Sequence, residues 1–224
     1  MWLPLLLVLA AYDAQVSQAQ ALEEAQDDQG AIALWEAAVQ GEPTAALPRI
    51  ELGRLLLKSG QRLDQAAAHL ETAARLAPEN PRVRYLLALL AEERKDPVAA
   101  KKSLEEALAL REDYDDARYR LAGLLFSEGD FSGAVDAYRR FIERHPSDSG
   151  ARLQLARALE SSGRVREAER LLRVLEKEPA TATLARRRLA ELLERHGHGA
   201  EAKKLRAKDA GAPRHLRELR PSSR

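Results

Sequence analysis

The stretch GDFSGAVDAYRRFIERHP, residues 129 to 146, opens on a turn, runs through a helix-like pattern and stops at a proline. Within it Tyr138 follows Ala134 by four residues, a spacing that puts both side chains on one face of a helix. Found once, the arrangement describes a single helix; found at a fixed interval, it describes an architecture. Aligned on Ala134, alanines recur at Ala31, Ala66, Ala100, Ala134, Ala168 and Ala202, separated by 35 residues once and by 34 thereafter. Four residues beyond them stand Trp35, Leu70, Leu104, Tyr138, Leu172 and Arg206, so only the last breaks the apolar rule. Twelve residues before them lie Ala19, Ala88, Ala122, Ala156 and Ala190, with Gly53 thirteen before Ala66 because one residue is inserted in that turn. Three residues past each of these small residues comes Leu22, Leu56, Ala91, Leu125, Leu159 or Leu193.

This pattern is that of one helix lying against another. Two antiparallel helices approach closely only where facing side chains are small, and the large apolar residues one turn away fill the gaps beside the contact. Glycines at Gly60, Gly129, Gly163 and Gly197, with Lys95 at the same place in the third unit, tolerate the left-handed conformation that ends a first helix. Prolines at Pro43, Pro78, Pro146 and, one place early, Pro179 stop the second helix. Each unit therefore reads as helix, tight turn, helix. One such pair cannot bury both of its faces, so neighbours must stack to complete a core.

Composition agrees. The 224 residues are 45% hydrophobic and only 4% aromatic, so the core is built from Leu and Ala, which favour helix, rather than from the residues that favour strands. The absence of cysteine excludes disulfides, thiolate zinc sites and cysteine nucleophiles. A net charge of +1 conceals an asymmetry: residues 183–224 carry twelve Lys/Arg and five Asp/Glu, or +7, which leaves −6 for residues 1–182.

The 34-residue interval, with its small residues, large apolar residues and closing proline, resembles the tetratricopeptide repeat. The segments PRVRYLLALLAEERKDPVAAKKSLEEALAL (81–110) and DDARYRLAGLLFSEGDFSGAVDAYRRFIERHP (115–146) carry the resemblance best. It implies an all-α fold, a right-handed superhelical solenoid of about six helix-turn-helix units: 12–45, 46–80, 81–114, 115–148, 149–182 and 183–211. Gln15 and Gln18 stand where apolar residues are usual, which predicts a frayed or partly removed opening helix. Phe141 and Leu175 replace a usual small residue late in the second helix, which predicts locally wider packing. The polar run after Leu205 is what a solvent-facing cap requires.

At 100° per residue, places 4, 8 and 11 of each first helix share a stripe that packs inward, and places 2, 5, 9 and 12 lie nearly opposite. The second stripe carries Leu47, Ile50, Arg54 and Leu57 in the second unit; Arg82, Tyr85, Leu89 and Glu92 in the third; Asp116, Tyr119, Gly123 and Phe126 in the fourth; and Gly150, Leu153, Arg157 and Glu160 in the fifth. In the family this stripe lines a concave groove that binds extended or helical peptides. The resemblance thus implies a peptide-binding groove at Arg54, Tyr85, Leu89, Tyr119, Arg120, Phe126, Leu153 and Arg157, rich in the Tyr and Arg that carry interface energy. The alternative assigns Tyr85 and Tyr119 to packing between neighbouring first helices. A clamp for a C-terminal carboxylate, as in chaperone-binding members of the family, needs groove asparagines, and the one asparagine, Asn80, lies in a loop.

No phosphate loop or nucleophile elbow occurs, and His196-Gly197-His198 sits on a repeat turn without a third strong metal ligand. The expectation is a protein that is not an enzyme, uses no cofactor or metal, takes no small-molecule substrate, and binds a protein or peptide partner as a scaffold. The apolar run at residues 2–11 falls short of the ~20 residues of a spanning helix. Residues 1–21 read as an export signal ending at Ala19-Gln20-Ala21, or as an apolar N-terminal cap; the first reading predicts a periplasmic or exported protein supporting assembly of an envelope complex, pilotin-like or secretion-associated, with membrane association through the segment or a partner. The second leaves a cytoplasmic regulatory or enzyme-associated subunit. Residues 212–224 form a basic tail, expected to be flexible; it could attract an anionic partner, but it lacks the aromatic residues that would favour nucleic acid.

Overall fold

The computed structural model describes residues 3–60 and 62–210, with side chains over 12–60 and 62–208. Among the described residues there are twelve α-helices and no strand. First helices are α1 (Leu3–Glu24), α3 (Ala46–Ser59), α5 (Pro81–Glu93), α7 (Asp115–Glu128), α9 (Ser149–Ser161) and α11 (Ala182–Arg195). Second helices are α2 (Asp28–Gly41), α4 (Leu63–Leu76), α6 (Pro97–Leu110), α8 (Phe131–Arg144), α10 (Val165–Leu175) and α12 (Gly199–Ala210). Consecutive helices pair as hairpins, and second helices also meet the following first helix, as α2 meets α3, α4 meets α5, α8 meets α9 and α10 meets α11. The chain forms two compact units, residues 1–117 and 118–224. The basic tail from residue 212 and the side chains of the apolar opening run lie outside the described residues.

Local chemistry sets the helix ends. Asp27, Asp96, Asp130 and Asp148 accept from the backbone N–H three residues on, at 2.8–3.0 Å, and Asn80 accepts from that of Arg82 at 3.0 Å. Each satisfies one of the donors that a helix start leaves unpaired. Pro81 and Pro97 occupy first helical positions, where a missing N–H costs nothing. At the far end of the first helices Gly60, Gly129, Gly163 and Gly197 hold φ between 67° and 85°. Lys95 takes the same left-handed turn at φ 59°, and Gln26 takes it in the first hairpin at φ 62°. The inserted residue of the second turn, Gln61, is outside the described residues.

The repeating alanines sit at the helix contacts. Ala31, Ala66, Ala100, Ala134 and Ala168 have no exposed surface, and Ala202 has 1%. At Gly53 the approach is tighter still: a Cβ there would stand 2.6 Å from Leu70 Cγ, so α3 and α4 can meet only because that side chain is absent. In the first unit two clusters form, one around Ile32, Trp35, Leu52 and Leu56, the other around Leu70, Val83 and Leu86. The second unit has one cluster, running from Ala122 through Tyr138, Leu159 and Leu172 to Leu205. Phe141 and Leu175, the bulky replacements, are both buried within the second unit. Gln15 is tied down, its Nε2 donating to the Leu34 carbonyl at 3.2 Å. Ile50 and Leu57, which the 100° reading puts on the outer stripe, are instead buried, because α3 is packed by α2, α4 and α5 and so has more than one covered side.

Tyr138 is 4% exposed and meets the Tyr119 ring edge-on, centroids 5.7 Å apart. Burial first, and Tyr119 second, push its phenol up to about 12 although Arg157 acts the other way.

Two outcomes follow from this packing. Lys95→Gly removes a side chain from a left-handed residue and is expected to stabilise the protein by about 1 kcal/mol in urea titration, whereas Gly129→Ala destabilises it. Because the Tyr138 phenol ionises more readily unfolded, at the ordinary value near 10, its contribution is full below pH 10 and is lost as pH rises towards about 12. Tyr138→Phe should therefore lose less stability than the wild type between those limits, measured by thermal melts at each pH; equal losses would contradict it.

Candidate protein-binding face of the first helices

In the first unit the outer stripe is closed by charge. Arg54 on α3 donates through Nε to Glu51 Oε2 at 2.8 Å and through its other arm to Glu23 on α1. Glu51, only 7% exposed, also accepts from Arg82 on α5, with Nη2 at 3.0 Å from Oε2. The chain of charge Glu23–Arg54–Glu51–Arg82 thus ties three successive first helices. Burial acts to lower the Arg54 pKa, but Glu51 and Glu23 outweigh it and hold the group above the ordinary arginine value. A carboxylate as buried as Glu51 is stable only while paired, so Arg54 acts inside the protein, where the sequence reading placed it at the disposal of a ligand.

The aromatic part of this stripe is also engaged. Tyr85, half-buried, lies 5.1 Å from the ring of Tyr114 at a 43° tilt. The Arg111 guanidinium carbon sits 3.8 Å from the Tyr114 centroid. Burial raises the Tyr114 pKa, with Tyr85 adding to it. Leu89 packs against both apolar clusters of the unit. Tyr114, a loop residue ahead of α7, carries no repeat signal and was missed; its neighbour was legible, it was not.

The second unit presents a different face. Tyr119 is half-buried, with Tyr138 on one side and Phe141, 5.1 Å away, on another. Both of these rings belong to α8, a second helix. Burial raises its pKa. Phe126 is half-buried against Phe131 at 5.2 Å. Across it, from α9, Arg157 lays its guanidinium carbon 4.3 Å from the ring centroid, a cation–π arrangement. Arg157 is exposed and makes no ion pair among the described residues. Leu153 packs half-buried against the same cluster, and Arg120 is exposed on α7. Beyond Arg157 the stripe is closed again, Glu160 being held by Arg195 of α11 at 2.8 Å.

Of the eight residues read as a groove, Tyr119, Arg120, Phe126, Leu153 and Arg157 belong to the second unit and Arg54, Tyr85 and Leu89 to the first. Phe126 and Arg157 are brought into contact. His196 and His198 are exposed in the turn between α11 and α12. Among the described residues no three His, Asp or Glu are grouped as a metal site, and no helix is long and apolar enough to cross a membrane.

Comparison with known proteins bears on the repeat as a whole. Residues 22–90 and 125–186 match one model of the tetratricopeptide repeat, and residues 96–149 match another. A tetratricopeptide repeat protein from Parabacteroides merdae aligns over 89% of this chain and 78% of its own, at 20% identity and a TM-score of 0.71. MamA aligns over 76% of this chain and 93% of its own, at 24% identity and a TM-score of 0.66. YrrB, described as a protein of this repeat type with an unusual peptide-binding site, aligns over 85% and 90%, at 19% identity and a TM-score of 0.60. At such identities the likeness is one of fold. No curated protein matches the sequence. Helical hairpins, six among the described residues, with alanines locked into their contacts every 34 or 35 residues, and family models matching along most of their length, establish that this chain belongs to the tetratricopeptide repeat family.

Proposed function

We propose that the protein is a non-catalytic adaptor that takes a protein or peptide segment on the first-helix face of its second unit. The observation that carries this reading is the Phe126–Arg157 pair: a half-buried ring under an exposed guanidinium that has no carboxylate partner among the described residues. Aromatic and arginine side chains are the commonest anchors at interfaces, and here they stand beside Tyr119 and Leu153 on a preformed surface. The first unit makes a poorer docking face, since Arg54 and Arg82 are already committed to Glu51. Family membership and the peptide-binding relative support a protein partner. Arg157→Glu, a change at an exposed site, is expected to leave the melting temperature within a degree or two while reducing partner recovery in cross-linking and mass spectrometry from cells about tenfold. Equal recovery by variant and wild type would overturn the assignment of the face.

The place of action in this proposal is the cell envelope, in support of a protein complex there. That part stands on the Leu-rich opening, residues 2–11. Tyr12, Val16 and Ala19 pack into the cluster around Trp35, and the Trp35 indole donates to Glu23 at 2.9 Å. Cleavage after Ala21 would strip the first three from that cluster, so the reading we favour keeps α1 attached. Fractionation should find the protein with the envelope at an intact mass that includes residues 12–24; recovery in the cytosol would transfer it to the regulatory-subunit reading.

A further inference from the structure

Gly53 and Gly123 stand at contacts of different kinds. Gly53 has to be glycine, since a Cβ there would stand 2.6 Å from Leu70 Cγ. Gly123, within α7, does not: the atom that a Cβ there would meet is the Tyr138 hydroxyl oxygen, at the ordinary contact distance of 3.7 Å. Nor does its backbone require glycine, because it lies inside the helix and is not one of the left-handed positions. Inside a helix every residue but proline is more favourable than glycine, so α7 carries a cost that neither packing nor backbone conformation explains. The missing side chain leaves a notch in the first-helix stripe, at the place that Arg157 holds 34 residues later, with the Tyr138 hydroxyl at its floor.

Tyr138 reaches this floor from α8. Its hydroxyl has no hydrogen-bond partner among the described residues, which is uncommon for a buried phenol, and the oxygen is not sealed from solvent. Burial pushes the phenol up to about 12, so at neutral pH the group is a donor. Tyr119 flanks the notch on one side, its ring edge-on to that of Tyr138 at 5.7 Å; Phe126 flanks it on the other, with the Arg157 guanidinium carbon 4.3 Å from its centroid. Arg157 is near enough for its charge to act on the phenol, and no carboxylate is among the groups that do. An O–H donor below and a guanidinium without an ion pair beside it match an anionic oxygen acceptor, and a carboxylate above all. Residues 118–210 carry twenty Lys/Arg and fourteen Asp/Glu, or +6, the sign that favours the approach of an acidic segment.

We propose that the notch over Gly123 takes a glutamate side chain of the bound protein segment, its carboxylate accepting from the Tyr138 hydroxyl and pairing with Arg157, while neighbouring apolar side chains of the segment rest on Phe126 and Leu153. This rests on the assignment of the second unit's first-helix face as the docking face. The hydroxyl lies below the surface of α7, so a carboxylate on two methylenes reaches it with the segment's backbone still outside. A chain terminus would have to bring its own main chain into the space of one side chain. Tyr138 belongs to a second helix, which is why a stripe read along the first helices misses it.

The test is selection on the full chain from a phage-displayed library of random internal segments, which offer no free carboxyl terminus. The best selected peptide is then synthesised with blocked ends and titrated. It is expected to carry a glutamate beside an apolar residue, and to lose about tenfold in affinity when that glutamate is replaced by alanine. Tyr138→Phe, which removes only the hydroxyl, should weaken the glutamate peptide about fivefold and the alanine peptide less than about twofold. Gly123→Leu, which fills the notch, should divide the two peptides in the same way. Gly123→Ala should raise the melting temperature; a lower one would mean that packing does require Gly123 and would remove the ground for the notch. Selected peptides without an acidic residue, a glutamate whose replacement costs nothing, or equal losses for both peptides on Tyr138→Phe and Gly123→Leu would overturn the notch and leave the docking face standing. Binding that survives Arg157→Glu as well, or a library that yields no binder, overturns both.

Discussion

The close approach of paired helices is the constraint on which the remainder of this molecule depends. Ala134 has no exposed surface because α8 presses on its neighbours there, and the side chain must be small for the backbones to come so near. Tyr138, one turn away, then has a defined space to fill, and fills it with its phenol buried against Tyr119. Between α3 and α4 the same constraint is taken to its limit at Gly53, where Leu70 occupies the volume of the missing Cβ. Dense packing of this kind leaves little freedom in how hairpins stack, so each first helix presents a repeatable stripe to the outside.

What that stripe does is set by where its charges go. In the first unit Glu51 draws Arg54 and Arg82 onto itself, converting groove-like positions into a brace between first helices. In the second unit no carboxylate stands in the equivalent position, and Arg157 settles over Phe126 instead. A guanidinium over an aromatic ring remains available to a carboxylate or carbonyl from another molecule, whereas one held by a buried glutamate does not. The two halves of the repeat array thus share a backbone plan and differ in what they can offer a partner.

The turns show how far the plan tolerates departures. Four of the left-handed positions carry glycine, as the conformation prefers, while Lys95 and Gln26 adopt it with side chains. The register of the repeat was enough to place Lys95 in that set. Gln26 stands five residues before Ala31, as Lys95 does before Ala100, so the same register holds its place too, although no glycine marks the first unit's turn. In both hairpins the helix packing fixes the turn, and the turn residue accepts the strain.

By itself the sequence determined the family, the helix-turn-helix unit, the alanine contacts and the positions of the turns. Those follow from steric rules acting over a few residues and repeated every 34, so they are written in spacing alone. The tertiary structure decided which outward residues are open. Ile50 and Leu57 lie on the same helical stripe as Arg54 yet are buried, because α3 has neighbours on several sides. Arg54 and Arg157 occupy equivalent places in their repeats, and only the folded chain shows one neutralised by Glu23 and Glu51 and the other resting on Phe126. Helical periodicity assigns a side chain to a face; what meets it there comes from residues some thirty positions away, and that pairing exists only once the hairpins have stacked.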